Sequence, residues 1–318
     1  MNRTRVVIDT DPGVDDAAAI LLALADPEIE VVAITAVDGN VGLAKTAKNA
    51  LRICDLAGVD VPVAAGADRP LIREKPWHPD ESSVHGDDGL GQTLPTEPTR
   101  ALVDVHAIDL IGGLAEQGPL TVVGIGPLTN LALTLARYPN ATENIERFVI
   151  MGGARLEGNS SAAAEFNIWY DPEAAHRVFS SGVPITLLPL DITHQAMLTG
   201  AEFEELRATG DIGAALASMI AFYEDKHVVA YGEGFSPMHD VLATLWLSRP
   251  DAMTFVRGQL TVDCGDSISR GATLVNTSLD PAVVKNADVG VDLDREVFAR
   301  TLIESVAALE SRQSNVRG

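Results

Sequence analysis

Cysteine is scarce in this chain: Cys54 and Cys264 are the only two among 318 residues. Two cysteines do not make a disulfide framework, and both read as small buried side chains in a reducing compartment. Basic residues are also few. Lysine and arginine total 23 against 45 aspartates and glutamates, a formal net charge of -22. That balance argues against nucleic acid and against anionic membranes as partners. No apolar run reaches membrane-spanning length. The opening, Met1-Asn2-Arg3-Thr4-Arg5, leads straight into a strand pattern with no secretory apolar region, so a cytoplasmic protein is expected. Linkers rich in Pro, Gly or Ser and internal repeats are both missing, which predicts a single domain over residues 1–318. Gly124-x-Gly126 lacks the further glycine of a dinucleotide fingerprint, so cofactor binding of that kind is set aside.

What is present is an ordinary globular composition, 46% hydrophobic with 5% aromatics, enough for a sizeable core. Apolar runs of strand type alternate with helical patterns. Val6 to Ile8 precedes a helix from Ala17 to Ala25, Val31 to Val37 precedes one over Leu43 to Ala57, and the alternation continues through Leu120 to Ile125, Phe148 to Met151 and Ile185 to Leu190. Further helices are predicted at Ile212 to Asp225, Asp240 to Leu247 and Arg295 to Leu309, with a β segment at Phe255 to Val262. Fully apolar strands joined by helices predict an α/β fold: an open, mostly parallel, Rossmann-like sheet with helices on both faces. Residues 69–99, rich in Pro, Gly and charge, read as a long surface loop, a flap near the site.

The most informative segment is Val6-Val7-Ile8-Asp9-Thr10-Asp11-Pro12-Gly13-Val14-Asp15-Asp16. A strand stops at a turn holding four carboxylates, and a helix follows. Four acids that close repel one another, and a hard divalent cation is the simplest neutralising agent. A solvated turn with helix caps explains one or two of these acids, not four. The calcium-loop pattern of an EF-hand fails, since Gly13, Val14 and Ile20 stand at its fifth, sixth and twelfth positions. A haloacid-dehalogenase-type phosphatase also starts with a strand and Asp-x-Asp, with the first Asp as nucleophile. Here Pro12 intervenes, and Asp15-Asp16 is left unexplained. Polar or Gly-rich elements also follow other strands: Asp38-Gly39-Asn40, Gly126-Pro127-Leu128-Thr129-Asn130, Met151-Gly152-Gly153 and Asp191. Ligands of open α/β sheets bind outside the carboxyl ends of the strands, so these elements are expected to converge on one crevice.

Together with Ala164-Glu165-Phe166-Asn167 and His239-Asp240, these motifs closely resemble the inosine–uridine nucleoside hydrolase family, from residue 5 to about 310. The resemblance implies cleavage of the N-glycosidic bond of ribonucleosides by water, with one bound calcium ion (Ca2+). It implies that Asp11, Asp16, the carbonyl of Thr129 and Asp240 bind the metal. Asp11 would be the general base. Asp15, Asn40, Met151, Asn159, Glu165 and Asn167 would hold the ribose, His239 would protonate or contact the base, and His85 would lie in the flap beside it. A small-molecule ribonucleoside is the implied partner, and family members are often homodimers or homotetramers.

Two features depart from the family pattern. Pyrimidine-preferring members usually present Gln or Thr beside Tyr where this chain has 222–231. Here Tyr223, His227 and Tyr231 recur at helical spacing. That face either packs on the body or forms a wall against the base, with His227 and Tyr231 as substrate contacts. Asp38 stands where a small residue is common and is expected to alter the 3′-hydroxyl environment. The competing readings are a metal-dependent phosphatase using Asp9, and a non-catalytic ribose-binding protein.

Overall fold

The alternation of β-branched runs and alanine- and leucine-rich stretches becomes an alternation of strands and helices. The structure, a computed structural model, describes residues 3–74, 84–231 and 236–317. Its strands are β1 (Thr4–Thr10), β2 (Ile29–Ala36), β3 (Val63–Ala65), β4 (Leu120–Gly124), β5 (Ile145–Met151), β6 (Ile185–Leu188), β7 (Met253–Val262), β8 (Thr273–Asn276) and β9 (Ala287–Leu293). They form one sheet in the order β3-β2-β1-β4-β5-β6-β9-β7-β8. The first six strands and β9 run parallel, and only β7 pairs antiparallel, with β9 and β8.

Helices cover both faces, as the apolar strands require. Val6 and Ile8 enter one core, with α1 (Val14–Ala25), α2 (Leu43–Ala57), α9 (Asp211–Tyr231), α10 (Val241–Leu245) and α11 (Arg295–Arg317) above it. Val7 faces the other core, built on α3 (Ala107–Glu116), α4 (Thr129–Arg137) and α6 (Pro172–Phe179). Every residue of α1 is buried, because it lies between the sheet and α10 and α11. Local signals set the ends. Gly58 stops α2 in a left-handed conformation, φ 65°, that side chains other than glycine's disfavour. Pro172 opens α6, and Asp171 Oδ1 accepts from Ala174 N at 3.0 Å as its cap.

Strand order changes direction at β1, with β2 on one side and β4 on the other. The crevice of an open α/β sheet forms at such a point, beyond the carboxyl ends of the strands. The acidic turn sits there.

The strands β8 and β9 and the short helices α5 (Phe166–Tyr170), α7 (Leu190–Thr193) and α8 (Gly200–Arg207) were not predicted from the sequence. The strand β9 alternates Asp288, Gly290 and Asp292 with apolar residues, and Asp and Gly are poor strand formers. Its place between β6 and β7 overrides that preference. The described part of 69–99 contains no helix or strand. Residues 75–83 lie outside the described residues. In the remainder, Leu90 and Leu94 are buried in the core. Arg52 donates to Asp88 Oδ2 at 3.0 Å and to Leu94 O at 2.7 Å, and Asn49 Nδ2 donates to Asp88 O at 2.7 Å. This part of the loop is anchored to α2, not draped over the surface.

Candidate active site

The helix α1 begins earlier than its apolar pattern suggests, and this places Asp15 and Asp16 in its first turn. All four acids of the turn are buried: Asp9 0%, Asp11 1%, Asp15 5% and Asp16 0% exposed. A solvated turn is therefore excluded. Asp9 has a separate environment. Its Oδ1 accepts from Thr35 Oγ1 at 2.6 Å and Asn130 Nδ2 at 2.8 Å, and burial raises its pKa to about 7. It lines no part of the neighbouring cavity among the described residues.

Asp11 is wedged between two glycines. A Cβ on Gly39 would collide with its carboxylate, and one on Gly126 would lie 2.7 Å from its Oδ1. These glycines are needed for space. Asn40 N donates to Asp11 Oδ2 at 2.7 Å, while Asp11 Oδ1 is buried with no hydrogen-bond partner among the described residues. Asp16 accepts from Thr10 Oγ1 and from Gly13 N at 2.8 Å. Asp240 stands at the N-cap of α10, yet its carboxylate makes no capping bond. Carboxylate oxygens of Asp15, Asp16 and Asp240 lie within 4.8 Å of one another. Burial, and then repulsion from its neighbours, pushes Asp15 up to about 8 and raises Asp11 and Asp240 well above the usual carboxylate range. Burial raises Asp16 as well, against its bond from Thr10.

Buried acids without a cation between them are costly to ionise. The donor set is all oxygen, and one of those oxygens is orphaned. It fits a hard divalent cation. Asp15, assigned to the ribose from sequence, belongs to the same oxygen cluster. Thr129 opens α4, buried, and its hydroxyl donates to Asp171 Oδ2 at 2.8 Å.

A cavity of about 950 Å³ opens above this cluster. It brings together Asp11, Asp15, Asn40, His85, Met151, Asn159, Glu165, Asn167, His239 and Asp240, all nominated from sequence. Asp16 and Thr129 do not line it. No lysine or arginine lines it among the described residues. Glu165 caps α5 (Phe166–Tyr170): its oxygens accept from Asn167 N at 2.9 Å, Ile168 N at 3.2 Å and Gly153 N at 2.8 Å. Burial outweighs those three bonds and holds its pKa near about 7. Asn167 Nδ2 donates to Ile125 O at 3.1 Å and Met151 O at 3.3 Å, which ties the ends of β4 and β5 together. Asn159 Oδ1 accepts from Phe166 N at 2.9 Å. His85 Nδ1 accepts from Val14 N at 3.1 Å, and its ring stacks on Tyr223 with centroids 4.9 Å apart.

His227 and Tyr231 belong to α9, but their side chains lie outside the described residues. Tyr223, on the same helix, lines the cavity. Asp38 does not line it. Its Oδ2 accepts from Tyr170 Oη and its Oδ1 from Leu43 N at 2.9 Å, so it ties α2 to α5. Asp191, expected at the crevice, also lines the cavity, as does His194, which the sequence reading missed. Asp191 follows β6 just as the other polar elements follow their strands. Position was the available signal.

With this geometry in place, the comparisons are specific. The family model for inosine–uridine preferring nucleoside hydrolase matches residues 6–300. The chain is 41% identical over 305 residues to the pyrimidine-specific ribonucleoside hydrolase RihA of Salmonella typhimurium, covering 94% of this chain and 97% of that protein. It superposes on a plant nucleoside hydrolase with TM-score 0.89 at 36% identity, covering 96% of this chain and 99% of that one. A purine-preferring ribonucleoside hydrolase from Gardnerella vaginalis gives TM-score 0.90 at 33% identity, with the same coverage. A metal-ready acid cluster at the carboxyl edge of a parallel sheet and a match running through nearly the whole chain lead to one assignment: the protein belongs to the inosine–uridine preferring nucleoside hydrolase family and is a ribonucleoside hydrolase.

Proposed function

We propose that the cavity hydrolyses the N-glycosidic bond of ribonucleosides to ribose and a free base, with Ca2+ at the acid cluster. One observation carries the reading. Asp11, Asp15, Asp16 and Asp240 are buried together, no lysine or arginine among the described residues lines the space above them, and Asp11 keeps an oxygen without a partner among those residues. Asp11, Asp16, the Thr129 carbonyl and Asp240 would hold the ion. When bound, such a cation supplies positive charge that neutralises these carboxylates and polarises an oxygen nucleophile.

The chain's own residues account for the rest. Asp11 takes one proton from water as its oxygen bonds to the anomeric carbon. The bond from that carbon to the base nitrogen breaks, and positive charge builds on the sugar ring. Asp15 and Glu165 lie beside the ring and stabilise that charge. Asn40, Met151, Asn159 and Asn167 orient the hydroxyls. His239 gives a proton or a hydrogen bond to the departing base, with His85 beside it. A cavity lined by no lysine or arginine among the described residues suits an uncharged nucleoside.

Pyrimidine ribonucleosides are the proposed preference, on the name of the 41% identical relative. A cytoplasmic homodimer or homotetramer completes the proposal. No described helix is long and apolar enough to cross a membrane. Uridine, cytidine, inosine, adenosine and guanosine are to be assayed by release of reducing sugar. Activity on at least one is expected, with kcat reduced by about 100-fold or more in Asp11→Ala while circular dichroism is unchanged. An Asp11→Ala enzyme as fast as the parent would remove Asp11 as the base.

A further inference from the structure

We infer that Thr193 is a positioning residue that aims the Nε2–H of His239 at the leaving base. The inference rests on the proposed role of His239 at the leaving base and adds the group that sets its tautomer. Thr193 ends α7 (Leu190–Thr193), the short helix after β6, and is fully buried. His239 lies 46 residues further along the chain, and its ring lines the cavity. Thr193 Oγ1 and His239 Nδ1 are 2.7 Å apart.

The direction of that bond follows from hydrogen-bond accounting. A hydroxyl carries one hydrogen, and a buried one gives it to an acceptor. His239 Nδ1 is the only partner of the Thr193 hydroxyl among the described residues. The hydroxyl therefore donates, Nδ1 presents its lone pair, and the neutral ring carries its proton on Nε2. A neutral imidazole with the proton on the other nitrogen would offer a lone pair where a donor is required. The same bond restrains rotation of the ring, and the backbone restrains Thr193 itself: its N donates to Pro189 O at 3.1 Å. The hydroxyl thus acts on ring orientation and tautomer together. The ring stays neutral throughout: its Nε2–H donates a hydrogen bond to the base nitrogen as the glycosidic bond breaks, the base takes the bonding electron pair, and solvent supplies the proton to the departed base.

The test compares Thr193→Val, Thr193→Ser and His239→Ala on uridine and on p-nitrophenyl riboside, whose leaving group needs no proton. Valine keeps the shape and deletes the hydroxyl; serine keeps the hydroxyl. Thr193→Val should lower kcat on uridine by about 10-fold or more, within the range of acid catalysis, with KM changed less than about 2-fold. The same variant should turn over p-nitrophenyl riboside within about 2-fold of the parent, and this also shows that its fold is intact. Thr193→Ser should recover most of the lost kcat. Adding Thr193→Val to His239→Ala should cost little more than His239→Ala alone. Equal losses on both substrates, no recovery with serine, or full additivity with His239→Ala would overturn the inference while leaving the leaving-group role of His239 standing. If His239→Ala does not slow uridine more than p-nitrophenyl riboside, that role itself fails, and this inference with it.

Discussion

Without the proposed Ca2+, the protein's stability should fall as pH rises, and the buried acids set the size of the effect. Asp15 is held at about 8, and Asp9 and Glu165 at about 7, against ordinary values of 3.8, 3.8 and 4.5. Each is an acid whose folded pKa is raised. In the unfolded chain all three have released their protons by pH 5, whereas the metal-free fold still holds them. The unfolded state then binds fewer protons, so stability declines with pH through the window from about 4 to 8. Each group contributes on the order of 1.4 kcal/mol per pH unit while it lags. Unfolding entropy for 318 residues is about 0.7 kcal/mol per kelvin. Three groups together therefore lower Tm by about 5 °C per pH unit between pH 5 and 7. Calcium at about 100 times its Kd adds back about 2.7 kcal/mol, roughly 4 °C. Because the cation displaces protons from Asp15 and its neighbours, binding should release protons near pH 7. Scanning calorimetry of chelator-treated protein from pH 5 to 8, with and without Ca2+, reads the first two effects. Titration in buffers of different ionisation enthalpy reads the third. A calcium-free Tm that is flat or rises with pH, or calcium binding without proton release, would refute the reasoning.

Three other outcomes are expected. Gly39→Ala should push Asp11 off its position, since the new Cβ would overlap its carboxylate, and kcat should fall about 100-fold; Gly113→Ala, with nothing within 4 Å of its Cβ, should leave kinetics unchanged. Leu90→Ala should destabilise the protein by about 2–5 kcal/mol in urea unfolding and raise KM, because Leu90 anchors the loop that carries His85. Unchanged stability would show that the loop is not held by the core. Uridine 5′-monophosphate should be a far poorer substrate than uridine, since Glu157, Asp191 and the other acids of the cavity repel a phosphate and no lysine or arginine among the described residues lines it to offset them. Comparable kcat/KM on both would contradict that electrostatic reading.

Much of the site was legible because its residues cluster in short polar interruptions of apolar runs. The four acids after β1, Asn40 after β2 and Glu165-Phe166-Asn167 stood out in this way. Tertiary packing alone determines several other roles. Asp38 looked like a residue near the substrate, yet Tyr170, 132 positions away, claims it for packing. Nothing in the local sequence carries that contact. The strand β9 was invisible because Asp288, Gly290 and Asp292 contradict strand preference, and its register against β6 and β7 prevails. Asp191 and His194 sat in the right place after β6, but only the closed cavity shows that they line it.

By itself, then, the sequence determined the layered α/β architecture and the position of the acids, since hydrophobic period and turn chemistry are local properties of the chain. The tertiary structure decided which acids share one buried cluster, which are spent on packing, and that Thr193 meets His239. Those outcomes depend on the parallel sheet, which brings the carboxyl ends of strands distant in sequence to one edge and removes water from the charges gathered there.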